Sequence, residues 1–401
     1  MRAVLTLAAA LVVGAALPAL AQSTIETRPP NGVGQEPQAA DQTRAPLPAT
    51  PVVAEIAVVA EGLPRLWALE FLPDGAMLVT AKEGKMFVVR ADGSAAPDLA
   101  GVPPVDARGQ GGLLDVALAP DFETTQEIYF SFSEPRDGGN GTSVARARLV
   151  LDAEGAGSLE DVTVIFRQTP TYNGDKHYGS RLVFGAAGEL YVTVGERSDA
   201  AVRVQAQQIG SGLGKVFRID RNGAPLPDNP LIATEGALPE IWSLGHRNMQ
   251  SATLDDQGRL WTVEHGPRGG DELNRPEPGK NYGWPEVTYG INYNGQPIGD
   301  GVTASQATTQ PVYYWDPVIA PSGMAFYDGA LFPTLEGAFL VGGLVAQSIV
   351  VLHMQDDRVA AEERIAVGAR VRDVKVAPDG SIFAVTEGGG GAQILRLTPA
   401  P

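Results

Sequence analysis

A short unit recurs six times along this chain. It is an alternating apolar run, a turn that Gly, Asp or Asn can make, and a second alternating apolar run. The copies begin near Trp67 (WALEFLPDGAMLVTA), Val116 (VALAPDFETTQEIYFSFSE), Arg181 (RLVFGAAGELYVTVGE), Ser251 (SATLDDQGRLWTVEHG), Ser322 (SGMAFYDGALFPTLEGAFLVGGL) and Val371 (VRDVKVAPDGSIFAVTEG). Period-2 alternation around such a turn specifies a β-hairpin. Similar hairpins repeated at intervals of several tens of residues predict an all-β fold, a six-bladed β-propeller over residues 51–401, with each hairpin inside a four-stranded blade. Amphipathic helical patterns are absent, and 48 glycines and 31 prolines suit turns and inter-blade loops. A pair of β-sandwiches is the rival architecture, but it leaves six similar units unexplained. Propellers bind ligands at one mouth of the central channel, so residues flanking the hairpins are the candidates for function.

The N-terminus reads as a secretory signal. Arg2 supplies the positive charge, Leu5 to Leu17 form an apolar run too short to span a bilayer, and Ala19-Leu20-Ala21 fits a cleavage site. The expectation is a signal peptide over residues 1–21, removed on export, and no membrane span. Residues 22–50 are Pro-, Gln- and Ala-rich without apolar periodicity and read as a disordered linker. With no cysteine, the exported domain relies on its core rather than on disulfides. It also has no thiolate metal site and no cysteine nucleophile. The net charge of −17, or −18 once Arg2 is removed, argues against nucleic acid and anionic membrane as partners. In so acidic a chain any cluster of arginines carries information.

Segment 241–285 (IWSLGHRNMQSATLDDQGRLWTVEHGPRGGDELNRPEPGKNYGWP) combines two kinds of chemistry. Arg247 and Asn248 offer a cation and an amide. The turn at Gly266-Pro267 leads to Asp271 and Glu272, and turn carbonyls with carboxylates suit a hard cation such as calcium. His177 precedes the third hairpin and Glu196 follows it, so strand, turn and strand should return the carboxylate beside the imidazole. That pairing fixes the tautomer and frees the other ring nitrogen as a general base. Arg370 and Arg372, two apart on an extended segment, point to one face and form a clamp for carboxylate or phosphate, unless surface acids take them up. Gln110 lies between glycines that permit close approach of a ligand. The four histidines show no zinc spacing. The stretch IGSGLGKVF at 209–217 lacks the glycine spacing of a phosphate loop, and no G-x-S-x-G elbow occurs.

Several motifs then occur in one order: GQGGLL, HYGSRL…VTVGER, LGHRN, EHGPRGGDE, NYGWP, YWDPVIAPSGMAFY and RVRDV. Together they make the chain from about 52 to 398 resemble the soluble aldose sugar dehydrogenases of the glucose/sorbosone dehydrogenase family. These are periplasmic six-bladed propellers that use pyrroloquinoline quinone (PQQ) and calcium. The resemblance implies His177 as catalytic base, Glu196 as the carboxylate orienting it (relatives often carry Asp there), and Arg247 beside the reacting quinone oxygen. It implies Gln110, Arg247, Asn248, Tyr293, Arg370 and Arg372 as cofactor contacts. Gly266 and Pro267 would hold the cofactor's calcium, Glu272 and Tyr282 a second, structural calcium, and Trp315 or its neighbours would border the substrate pocket. Val345 stands where some relatives place a cofactor-binding lysine. The implied partners are an aldose, oxidised to a lactone, and an external electron acceptor; the protein would be a monomer or homodimer. Two readings from other classes are a calcium-dependent propeller lactonase and a non-enzymatic binding propeller. The first needs carboxylates and Asn converging on the channel; the second leaves His177 and the arginines without a shared purpose.

Overall fold

In the first hairpin, Gly75 has a φ of +84° and donates its N–H to Leu72 O (2.9 Å), while Asp74 Oδ1 accepts from Ala76 N (3.0 Å). The same Asp-led closure recurs at Asp379-Gly380, where Asp379 accepts from Ser381 N (2.9 Å). A glycine in the left-handed region and a short carboxylate that bonds the backbone two residues on are what tight turns demand. These turns join the first two strands of a blade.

A computed structural model describes residues 23–401. Six antiparallel sheets form the predicted six-bladed propeller. The innermost strands are Leu66–Phe71, Leu113–Leu118, Leu182–Phe184, Met249–Leu254, Pro321–Phe326 and Arg370–Val376, and each packs against its neighbours around the channel. The six hairpins read from sequence are the first and second strands of the six blades. The first blade has three strands, not the expected four. The sixth is completed by Ala54–Leu63, paired antiparallel with Ala392–Pro399, so the first strand of the ring joins its last. Buried Leu, Val, Ile and Phe fill the spaces between adjacent blades. The export signal expected over residues 1–21 falls outside the described residues. No described helix is long and apolar enough to cross a membrane.

Residues 23–50 depart from the disordered linker their composition predicts. Gln42 O accepts from Tyr314 N (2.8 Å), Tyr313 Oη donates nothing to this segment but accepts from Ala45 N (2.8 Å), and Pro46 O accepts from Glu362 N (2.9 Å). Asp316 accepts from the backbone N–H of Asn31 (2.9 Å) and Gly32 (2.8 Å). The segment therefore covers the outer edges of the fourth and fifth blades, where strands would otherwise present unpaired groups. Its order comes from these edges rather than from a core of its own.

Candidate functional site

Two neighbouring groups of side chains form the site at one mouth of the channel. In the first, His177 Nδ1 lies 3.0 Å from Glu196 Oε1, with both residues buried. The hairpin brings them together as the sequence predicts. Glu196 Oε2 also accepts from Ser198 N, which fixes the carboxylate. His177 sits in the left-handed region (φ +49°) and donates its N–H to Gln110 Oε1 (2.8 Å). Burial and the nearby Arg247 push the His177 pKa down, against the opposing pull of Glu196. The ring is therefore held neutral, with Nδ1–H toward the carboxylate and Nε2 available as an acceptor.

Arg247 links this pair to the Gly266 turn. Its Nη1 donates to the carbonyls of His265 and Gly266, both at 2.8 Å, and its guanidinium stacks 5.1 Å from the Trp284 ring. Arg247 Nε is buried with no partner among the described residues, 3.9 Å from Glu196 Oε1. Asn248 Oδ1 accepts from Gly179 N (3.0 Å).

The second group lines a cavity of about 420 Å³. Arg370 and Arg372 do share a face, and they converge on Glu387: Arg370 Nε at 3.2 Å and Arg372 Nη2 at 2.7 Å. Burial opposes ionisation of Glu387, but the two arginines hold its carboxyl below the usual range. Arg372 Nη1 also donates to Gln250 Oε1 (2.8 Å), which lies 3.4 Å from His265 Nε2. Gln110 and Val345 line the same cavity, together with Arg65, Trp67 and Lys82. Sequence reading missed Glu387, Gln250, His265, Arg65, Trp67 and Lys82. Only His265 lies in one of the motifs that carry the resemblance (EHGPRGGDE), because the ring brings these residues in from three blades, the first, fourth and sixth.

The Gly266–Asp271 turn differs from expectation in one respect. Asp271 is not free for a cation: Oδ1 accepts from Gly266 N (2.7 Å) and Oδ2 from Ile319 N and Ala320 N (both 2.8 Å). Burial pushes its pKa up to about 7, against those three donors. Asp271 thus shapes the turn whose Gly266 carbonyl accepts from Arg247. Behind Arg247, Glu272 and Tyr282 border a small void with Glu264. Burial and the adjacent Glu264 push the Glu272 pKa well up, and Asn274 Oδ1 is buried without a partner. Among the described residues no three His, Asp or Glu side chains form a metal cage.

Two candidates are not brought into the site. Tyr293 is 74% exposed on the loop before Tyr313–Trp315 and does not line the cavity. Trp315 is buried in the core, its indole N–H donating to Glu362 (3.0 Å). An unforeseen constellation, Ser243 Oγ–His246 Nε2 (2.9 Å) with His246 Nδ1–Glu264 Oε1 (3.0 Å), has the connectivity of a hydrolase triad. Ser243 and His246 are fully buried, so an acyl substrate has no approach to it.

A β-propeller with a buried imidazole–carboxylate pair beside a cationic, amide-lined mouth is built for a dehydrogenase that takes an anionic organic cofactor. The chain belongs to the glucose/sorbosone dehydrogenase family, whose model matches residues 63–396. It is 41% identical over 357 residues to the aldose sugar dehydrogenase YliI of Escherichia coli K12, covering 88% of this chain and 94% of that one. The apo crystal structure of the soluble E. coli aldose sugar dehydrogenase superposes with a TM-score of 0.82 at 39% identity, covering 87% of this chain and all of that one. The PQQ-bound aldose sugar dehydrogenase of Streptomyces coelicolor gives a TM-score of 0.71 at 30% identity, covering 87% of this chain and 99% of that one.

Proposed function

We propose that this chain is an exported, periplasmic quinoprotein that uses PQQ and calcium to oxidise an aldose at the anomeric carbon to the lactone, passing electrons to an external acceptor. The observation that carries this reading is the His177–Glu196 pair set beside a cavity rich in cations in a protein of net charge −17. The donor set fits the cofactor: Arg370 and Arg372 suit its carboxylates, Gln110 offers an amide from the cavity wall, and the buried, unpartnered Arg247 Nε offers a further donor. The Gly266 and Pro267 carbonyls fit the cofactor's calcium, with Gly266 O sharing its lone pairs with Arg247.

When bound, PQQ with calcium supplies an electrophilic quinone that accepts the hydride from the anomeric carbon. His177 Nε2 takes the proton of the anomeric hydroxyl. Glu196 holds Nδ1–H and stabilises the imidazolium that results. Arg247 places positive charge beside the carbonyls of the Gly266 turn and balances negative charge developing near them. The test is reconstitution: apoprotein with PQQ and calcium should show quinone absorption that bleaches on adding an aldose, and a sugar panel then ranks substrates. Dye-coupled sugar oxidation by chelator-treated protein lacking PQQ would overturn the proposal, and PQQ-independent lactone hydrolysis would favour the lactonase reading.

A second, structural calcium at Glu272 and Tyr282 belongs to the same reading, supported by the adjacent Glu264 and Glu272 carboxylates and the unpartnered Asn274 Oδ1. Calcium at 100 times its dissociation constant should add about 2.7 kcal/mol to the native state. The thermal midpoint of apoprotein should therefore rise with calcium and fall with chelator, and Glu272→Gln should remove most of that response. Equal midpoints in calcium and chelator would exclude the site.

A further inference from the structure

The positive side chains of the cavity differ in what neutralises them. Arg65 Nε pairs with Glu83 at 2.6 Å, and Arg370 and Arg372 share Glu387. Lys82 has no carboxylate within ion-pair distance among the described residues; its ammonium reaches the carbonyl of Gly109, next to Gln110. It is nevertheless 8% exposed and lines the cavity. Burial pushes its pKa down, and Arg65 and Arg372 push it further. An ammonium removed from water, repelled by two guanidiniums and given only one carbonyl is a net cost to the fold. Such a group is compensated when an anion arrives with a ligand. The wall formed by Leu344 and Val345 supplies no charge to the cavity.

We propose that Lys82, from the hairpin turn of the first blade, binds a carboxylate of the cofactor and is the principal unneutralised cation of the pocket. The inference rests on the reading of that cofactor as PQQ. Lys82 binds here as a point charge, with Arg65 held back by Glu83 and the Arg370–Arg372 clamp half-neutralised by Glu387.

The experiment is an equilibrium titration of full-length apoprotein with PQQ in calcium buffer, followed by quenching of tryptophan fluorescence (Trp67 lines the cavity), at several salt concentrations. Lys82→Met should weaken binding by about 10- to 100-fold, the range of a charge-assisted hydrogen bond, and flatten the salt dependence. Lys82→Arg should stay within a few-fold of wild type. Val345→Lys in the Lys82→Met background should recover part of the affinity by returning a charge to the same cavity. The melting temperature of the apoprotein separates this role from a structural one: loss of an uncompensated buried ammonium should leave it unchanged or raise it, whereas loss of a supporting contact would lower it. If wild type binds PQQ and Lys82→Met binds it equally well, or if Lys82→Met is weakened only because its apoprotein is destabilised, the inference is wrong. If wild type fails to bind PQQ, it is the cofactor reading that fails.

Discussion

Replacing His177 by Gln is expected to slow sugar oxidation by about 10²–10⁴-fold while leaving PQQ affinity close to that of wild type. The imidazole makes one side-chain hydrogen bond, Nδ1 to Glu196, so its other nitrogen is available for proton transfer and is not spent on anchoring. The proposed cofactor contacts lie on Gln110, Asn248, Arg247, Arg370 and Arg372. The pH dependence has a definite sign. The neutral ring is the competent base, and burial with Arg247 holds its pKa below the ordinary value, so the rate should persist through neutral pH and fall only as pH drops below about 6.5. Glu196 raises that pKa, so Glu196→Gln should move the acid limb lower while reducing the maximum rate. Saturated-cofactor kinetics beside a PQQ titration decide the matter. A His177→Gln enzyme that loses affinity but keeps its saturated rate would make the histidine a binding residue.

Arg181→Met is expected to destabilise the fold by about 3–5 kcal/mol, the cost of leaving buried charge without its partner. Arg181 starts the third blade's innermost region and plugs the channel. Its Nη1 lies 2.8 Å from Asp115 Oδ1 of the second blade and 3.1 Å from Asp373 Oδ1 of the sixth. The guanidinium stacks 4.6 Å from the ring of Trp67 of the first blade, and all four side chains are buried. Burial already pushes Asp115 up to about 6 despite the arginine, so its carboxylate depends on that neighbour. Denaturant unfolding would measure the loss. The double variant Arg181→Met/Asp115→Leu should recover part of it, because one stranded carboxylate is then gone. An Arg181→Met protein as stable as wild type would show that the channel charges are solvated by other means.

What the sequence made legible was local. The six hairpins could be read because alternating apolar runs and a turn that Gly, Asp or Asn can make lie within a few tens of residues of each other. His177 and Glu196 were placed beside each other by the same hairpin logic, and Arg370 with Arg372 by strand periodicity. Contacts made by ring closure left no such trace: Lys82 and Arg372 are separated by most of the domain. The edge-covering segment 23–50 was illegible for a related reason, since its hydrogen bonds run to the fourth and fifth blades and its composition lacks any periodicity of its own. Asp271 misled because a turn carboxylate that ligates a cation and one that ligates backbone N–H groups look alike in sequence. Trp315 was offered, with its neighbours, on the family resemblance alone, which did not decide which face its indole takes.

The pairing of Ala54–Leu63 with Ala392–Pro399 gives the ring a seam, and the cavity straddles it. Arg65 follows the closing strand directly and Lys82 lies in the first blade just beyond it, while Arg370, Arg372 and Glu387 belong to the sheet that strand completes. A multivalent anion held between the two flanks acts as a bolt across the seam. Opening the ring there would surrender the ligand before any blade unfolds, and losing the ligand would leave the seam as the first place to fray. Amide hydrogen exchange along Ala54–Leu63 should therefore slow on cofactor binding more than exchange in the third blade, far from the join, so that the occupancy of the pocket is written into the lifetime of the circle.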